Sequence, residues 1–204
     1  IGLCLVGSEM CIRDRDSEVV NLLKNAGAIV MGKTVTAELA YIHPGKTTNP
    51  HDYSRTPGGS SSGSAAVVAA QMAPMSIGSQ TGGSIIRPAS YCGVVGYKPS
   101  YGLISRNGVL KTSEKLDTIG VFGKSVEAVA LLAKALIKKD LYDPATIHFA
   151  ADEILEASQK EPHFEPKFIF YKTDKWKNID KESKSAFEFF IKKFKKNIEV
   201  FDLS

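Results

Sequence analysis

The sequence is short of cysteine, of histidine in any pattern, of long apolar runs and of charge of one sign, and each shortage excludes something. Three cysteines, Cys4, Cys11 and Cys92, stand at irregular spacing in 204 residues. That argues against a disulfide framework and against a cysteine-ligated zinc site, and it fits a reducing, cytoplasmic compartment. The four histidines, His43, His51, His148 and His163, fall in polar or loop-like stretches and read as solvent-facing or structural. No stretch approaches the ~18 consecutive apolar residues that a membrane-crossing helix requires. The net charge is only +4, and it is spread thinly: residues 16–150 carry 13 Lys/Arg against 9 Asp/Glu, and residues 151–204 carry 11 against 11. A nucleic-acid surface would leave a stronger basic footprint. The lysine-rich run FIKKFKKN (190–197) reads instead as the solvated side of an amphipathic helix.

With 43% hydrophobic and 24% charged residues, the chain has the composition of a globular domain or a large piece of one. Residues 1–15, IGLCLVGSEMCIRDR, lack the basic start of a signal peptide and show no helix or strand period. They resemble translated adapter sequence, so the expected division is a non-native segment 1–15 and a partial domain over 16–204. From Asp16 the signals sharpen. An Asp/Ser start and the apolar positions Val19, Val20, Leu22, Leu23 and Ala26 predict a helix that stops at Gly27. AIVMG (28–32) then predicts a short buried strand. Residues 40–59 form a long Pro/Gly/Asn-rich loop of the kind that often carries function. SAAVVAAQMA (64–73) predicts a buried helix, MSIGSQ (75–80) a strand, and residues 125–139 an amphipathic helix capped by Ser125. KFIFYK (167–172), residues 180–197 and IEVFDL (198–203) predict strand, helix and strand, with Phe187, Phe190, Ile191 and Phe194 on one helix face. Helices and strands alternate, so the fold class is α/β.

Two glycine–serine clusters stand out, PGGSSSGS (57–64) and GSQTGGSIIRP (78–88). A flexible linker does not run directly into an alanine-rich helix and a strand. A phosphate-binding P-loop needs lysine where Ser64 stands, and no G-x-G-x-x-G is present. Residues 59–63 match G-x-S-x-G in form, but a proline-containing loop precedes them where a nucleophile elbow needs a strand. A fourth solution uses both clusters. A serine becomes a nucleophile when a base takes its proton, and a lysine of lowered pKa can do so through a second serine. Thr81-Gly82-Gly83-Ser84 suits the complementary task of presenting amides to a developing oxyanion.

Residues 56–109, with LDTIGVFGKSVEAVALL (116–132) after them and LLKNAGAIVMGKTVTAELAY (22–41) before, strongly resemble the amidase signature family. The resemblance implies an α/β amidase-signature fold, a mixed β-sheet core flanked by helices, incomplete in this chain. It also implies a Ser–Ser–Lys triad. By motif position, Ser84 is the acyl nucleophile and Ser60, 24 residues earlier, is the bridging serine. The Gly59–Ser60 peptide is then cis. Thr81, Gly82, Gly83 and Ser84 supply the oxyanion hole, and Ser61 adds a hydrogen bond beside the triad. The implied reaction is hydrolysis of a small-molecule, non-peptide amide with no cofactor, no metal, no membrane and no nucleic acid; the resemblance leaves the oligomeric state open.

The sequence departs from the family pattern in ways that matter. The triad lysine belongs in an upstream apolar-Lys-Asp segment that these 204 residues lack, as they lack the family's C-terminal part; Lys33, Lys98 and Lys139 are not substitutes. The chain alone is therefore expected to be inactive. Gln80 stands where many members have aspartate, Arg87 comes one residue later than the usual arginine, and Ser62 replaces a glycine. These departures point to a stand-alone amidase or an allophanate-hydrolase-like member rather than a transamidation subunit. The alternatives are the A subunit of a glutamyl-tRNA amidotransferase, which would have partner subunits, and a lysine-less binding module with no activity. Cys92 is expected to be a small buried residue.

Overall fold

The computed structural model describes residues 15–161 and 164–202. Cys4, Cys11, His163 and nearly all of the segment 1–15 lie outside the described residues. The chain divides into two compact units, one ending at Gln159 and one comprising Lys160–Ser204.

The first unit is built on a three-stranded antiparallel sheet of order β1-β3-β2, with β1 at Met75–Gln80, β2 at Val95–Tyr97 and β3 at Thr118–Gly123. Strand β3 is central: Gly120 pairs with Gly78 on one side, and Val121 pairs with Tyr97 on the other. Its side chains alternate between two apolar clusters, as a pleated strand covered on both faces requires. Ile119 and Val121 join Val19, Leu22, Val129, Leu132 and Leu136, the buried stripes of α1 (Glu18–Asn25) and α4 (Val126–Leu136). Phe122 points the other way, into Ala65, Val68, Ile85, Ala89 and Cys92 from α2 (Ser62–Ala69), α3 (Ile86–Cys92) and the residue before α3. The small residues of α2 let that helix lie close to its neighbours. Helix α5 (Asp152–Gln159) packs against α4.

Local chemistry sets the boundaries. Gly27 adopts φ +83° after α1, and the Ala28 amide reaches back to the Leu23 carbonyl, a glycine stop of the expected kind. The Ser125 hydroxyl accepts from the Ala128 amide and caps α4. The buried strand predicted over 28–32 is not there. Those residues are irregular, with Ile29 89% and Met31 76% exposed. A strand persists only where a neighbour completes its ladder, and no described strand runs alongside. Conversely, β2, β3 and α5 were not anticipated.

The second unit pairs β4 (Phe168–Lys172) in parallel with β5 (Ile198–Asp202). Helix α6 (Lys181–Lys193) joins them, capped by the Asp180 carboxylate on the Ser183 amide. Phe187 packs on Phe170, and Phe190 and Phe194 pack on Phe168, all with ring centroids within 6 Å. The predicted apolar face is thus the packed one, and Lys192, Lys193, Lys195 and Lys196 face solvent.

Candidate active site

The two glycine–serine clusters meet. The first runs into α2 and the second joins β1 to α3, so the β1–α2–α3 packing brings them side by side. The Ser61 amide donates to the Ser84 carbonyl at 3.3 Å, a direct backbone tie between the clusters. The Gly59–Ser60 peptide is cis.

Most hydroxyls in the first cluster have structural work. Ser61 Oγ donates to the Ser79 carbonyl (3.1 Å) and accepts from the Ser79 amide (3.2 Å), which locks the cluster to the end of β1. Gly78 makes room for it, since a Cβ there would lie 2.6 Å from Ser61 Oγ. Ser62 Oγ donates to the Val35 carbonyl (3.1 Å), and Ser64 Oγ donates to the Ile77 carbonyl (2.8 Å). Ser60 and Ser84 differ. Ser60 is buried and Ser84 half-buried, and neither hydroxyl hydrogen-bonds to another described residue.

The loop of residues 81–85 is held from two sides. Gln80 is buried and folds over it: Oε1 accepts from the amides of Ile85 (2.8 Å) and Ile86 (3.1 Å), and Nε2 donates to the Gly82 carbonyl (3.0 Å). The glutamine thus satisfies amides at the start of α3 that have no intrahelical acceptor. On the other side, the Thr81 hydroxyl donates to the Asp117 carboxylate, which also accepts from the amides of Thr112 and Ser113. Burial alone would push the Asp117 pKa up, but these donors outweigh it and hold the carboxyl below the ordinary aspartate value of 3.8. Among the described residues, the amides of Gly82, Gly83 and Ser84 have no acceptor. Gly82 faces open space, with nothing within 4 Å of where a Cβ would stand. Such a group of free amides beside a free hydroxyl is suited to a tetrahedral oxyanion.

A cavity of about 370 Å³ opens against the first cluster, bounded by Gly58, Gly59 and Ser62, by Tyr41 and Ile42 of the long loop, and by Arg87 of α3. Ser60 and Ser84 are not among the residues that line it. The long loop is anchored from below: Asn49 Nδ2 donates to the Tyr91 carbonyl (2.9 Å), and His51 Nε2 donates to the Cys92 carbonyl (2.9 Å). Cys92 is fully buried, and burial pushes its thiol pKa up, the opposite of what a nucleophile needs.

No lysine hydrogen bond to the Ser60 or Ser84 hydroxyl is present among the described residues. Lys98 Nζ donates to the Pro99 carbonyl (2.6 Å), Lys139 Nζ donates to the Thr146 carbonyl, and Lys33 is exposed. The structure therefore brings together Ser60, Ser61, Thr81, Gly82, Gly83 and Ser84. Gln80, Asp117 and Asn49, which hold the loops around them, carried no role in the sequence-based expectations. Gln80 was visible only as a departure from a pattern, and Asp117 only as part of a matching stretch.

Comparison with known proteins bears on the family and the fold. A family model described as Amidase matches residues 4–202. The A subunit of glutamyl-tRNA(Gln) amidotransferase from a Nostoc species is 50% identical over 138 residues, covering 65% of this chain and 28% of that protein. The crystal structure of the corresponding Thermotoga maritima protein superposes with a TM-score of 0.76 at 34% identity, over 93% of this chain and 43% of that one. The native peptide amidase of Stenotrophomonas maltophilia superposes with a TM-score of 0.75 at 28% identity, over 94% and 42%. The chain spans under a third of the curated relative and under half of either solved chain.

Proposed function

The chain belongs to the amidase family, and on that premise we propose that it carries the two serines of an amide-hydrolysing site that works through an acyl-enzyme. The observation that carries the proposal is the division of labour among the hydroxyls. Those of Ser61, Ser62 and Ser64 are consumed by backbone groups, while those of Ser60 and Ser84 are left for chemistry beside the unpaired amides of residues 82–84.

Ser84 attacks the amide carbonyl. Its proton passes to Ser60 and from there to a lysine, which in this proposal comes from outside the 204 residues. The carbonyl oxygen takes up negative charge against the amides of residues 81–84. The carbon–nitrogen bond breaks, and the proton returns by the same relay to the departing ammonia or amine. Water then adds to the acyl-serine, with the relay again taking the proton, and releases the acid.

The test is made on the whole protein. Ser84→Ala should remove turnover and end covalent labelling by a serine-directed phosphonate. Ser60→Ala should lower kcat by roughly 10²–10⁴-fold, the range for loss of a proton-transfer group. Wild-type turnover in the Ser84 variant would sink the assignment.

A second reading is favoured by a specific finding, the 50% identity to the A subunit of an amidotransferase. In that reading the same site releases ammonia from an amide donor for use by a partner polypeptide. Co-purification with a second polypeptide, and ammonia release that rises when it is present, separates this from a stand-alone amidase.

A further inference from the structure

Gln80 ends β1, where its backbone pairs with Thr118 of the central strand, and its side chain is buried. It is a rigid post from which the loop of residues 81–84 departs. Its side-chain amide bonds in two directions. Oε1 accepts from the amides of Ile85 (2.8 Å) and Ile86 (3.1 Å), and Nε2 donates to the Gly82 carbonyl (3.0 Å). Two N–H donors on one side admit only the oxygen there, so the NH2 group has to face the carbonyl.

The bond to Gly82 does something the other two do not. A trans peptide unit is planar, so its N–H points opposite to its C=O. Among the described residues the cis peptide is Gly59–Ser60, and the Gly82–Gly83 link is trans. Holding the Gly82 carbonyl toward Gln80 therefore aims the Gly83 N–H away from Gln80, and that N–H is one of the loop amides without an acceptor. The next two peptides are fixed by main-chain groups. The Gly83 carbonyl accepts from the Arg87 amide (2.9 Å), and the Ser84 carbonyl accepts from the Ser61 amide (3.3 Å). The 82–83 peptide has no such tie. It lies between two glycines, the residues of greatest backbone freedom, and a Cβ on Gly82 would meet nothing within 4 Å. One side-chain N–H sets its orientation.

We infer that Gln80 is a positioning residue for the reaction: it turns the Gly82–Gly83 peptide so that the Gly83 N–H is presented to the oxyanion, and only a neutral amide at this place can do so. A carboxylate here accepts from Ile85 and Ile86 as the glutamine does, but it has no hydrogen for the Gly82 carbonyl. Two acceptor oxygens then face each other, and the peptide is driven to turn over, taking the Gly83 N–H out of the site. An aliphatic side chain loses the bonds on both sides. The inference rests on the amide-hydrolysing function proposed above and adds to it a residue that acts on the reacting carbonyl only through Gly83.

The experiment uses the whole protein with Gln80→Glu and Gln80→Met. It reads the urea midpoint, the hydrolysis of benzamide by ammonia release, and the rate at which a fluorophosphonate labels Ser84, a reaction that also builds charge on an oxygen. A role confined to holding the start of α3 makes the glutamate harmless, because the acceptor is kept. The positioning role makes Gln80→Glu fold like the wild type yet lowers kcat and the labelling rate by roughly 10²–10³-fold, the usual loss of one oxyanion donor, with KM little changed. Gln80→Met should lower both the urea midpoint and kcat. A folded Gln80→Glu variant that keeps wild-type kcat and labelling overturns the inference, as does one whose loss lies in KM alone. If Gln80→Glu does not fold, Gln80→Met decides: a fall in kcat of about tenfold or more with KM held supports the inference, and a smaller fall overturns it. If benzamide is not turned over, the labelling rates decide alone. A wild type whose Ser84 takes no label ends the amide-hydrolysing reading and the inference with it, whereas a labelled wild type with equally labelled variants ends the inference alone.

Discussion

Asp117 shows how a side chain outside the reacting set shapes it. Its carboxylate ties Thr81 to the amides of residues 112 and 113 and so fixes the first residue of the 81–84 loop. Because its folded-state pKa is depressed, its contribution to stability is fully present above the unfolded aspartate value near 3.8 and is lost as pH falls through the lower folded value. Asp117→Asn in the whole protein should cost about 1–3 kcal/mol at pH 7, the usual effect of spoiling a buried charge-assisted hydrogen bond. In urea titrations the gap between wild type and variant should narrow below pH 4. A gap that stays constant from pH 7 to pH 3 would show that the carboxylate contributes by shape alone. At this scale the sequence was informative in part. The resemblance pointed to Ser60 and Ser84, but nothing in a string of residues shows which hydroxyls the backbone consumes. Gln80 could be seen to differ from a family pattern; that it satisfies the amides of Ile85 and Ile86 depends on how the loop turns back.

Among the elements, those with strong periodic or capping signals were legible: β1 matches its prediction end to end, and α4 begins after the Ser125 cap. Strand β3 was hidden for a physical reason. It is buried on both faces, so it has no polar alternation, and its two glycines weaken its strand character. Those glycines are a packing device. A Cβ on Gly120 would sit 2.2 Å from Ile85 Cδ1 and 2.5 Å from the Tyr97 carbonyl. The close approach lets Ile85 seat the start of α3, and with it the loop holding Ser84, directly on the sheet. Gly120→Ala should therefore destabilise by about 1–3 kcal/mol through overpacking. Gly82→Ala, which meets open space, should stay within roughly 0.5 kcal/mol of wild type. Equal urea midpoints for the two variants would mean that the β3–α3 contact is looser than described. The strand predicted at 28–32 failed for the opposite reason. Its apolar run carried the right signal, but a ladder depends on a partner strand, and the run itself does not encode one.

Across the whole molecule, the described residues leave a set of large apolar side chains in solvent. Ile29 (89%), Tyr41 and Ile42 (77% each) and Met31 (76%) lie on the irregular stretch and the long loop ahead of the first serine cluster. Single exposed hydrophobics are ordinary, but a contiguous stretch of them marks a surface that prefers to be covered. The net charge of +4 offers little repulsion against association. The 204-residue chain by itself should therefore self-associate and bind a hydrophobic dye, with sedimentation velocity showing species heavier than 22.1 kDa. It should also hydrolyse no amide, because no described lysine reaches the Ser60 hydroxyl to drive the relay. A monodisperse monomer that binds no dye would mean these side chains are simply solvated. A monomer that also turned over amides would require a base other than lysine for Ser84, and the relay through Ser60 would have to be abandoned.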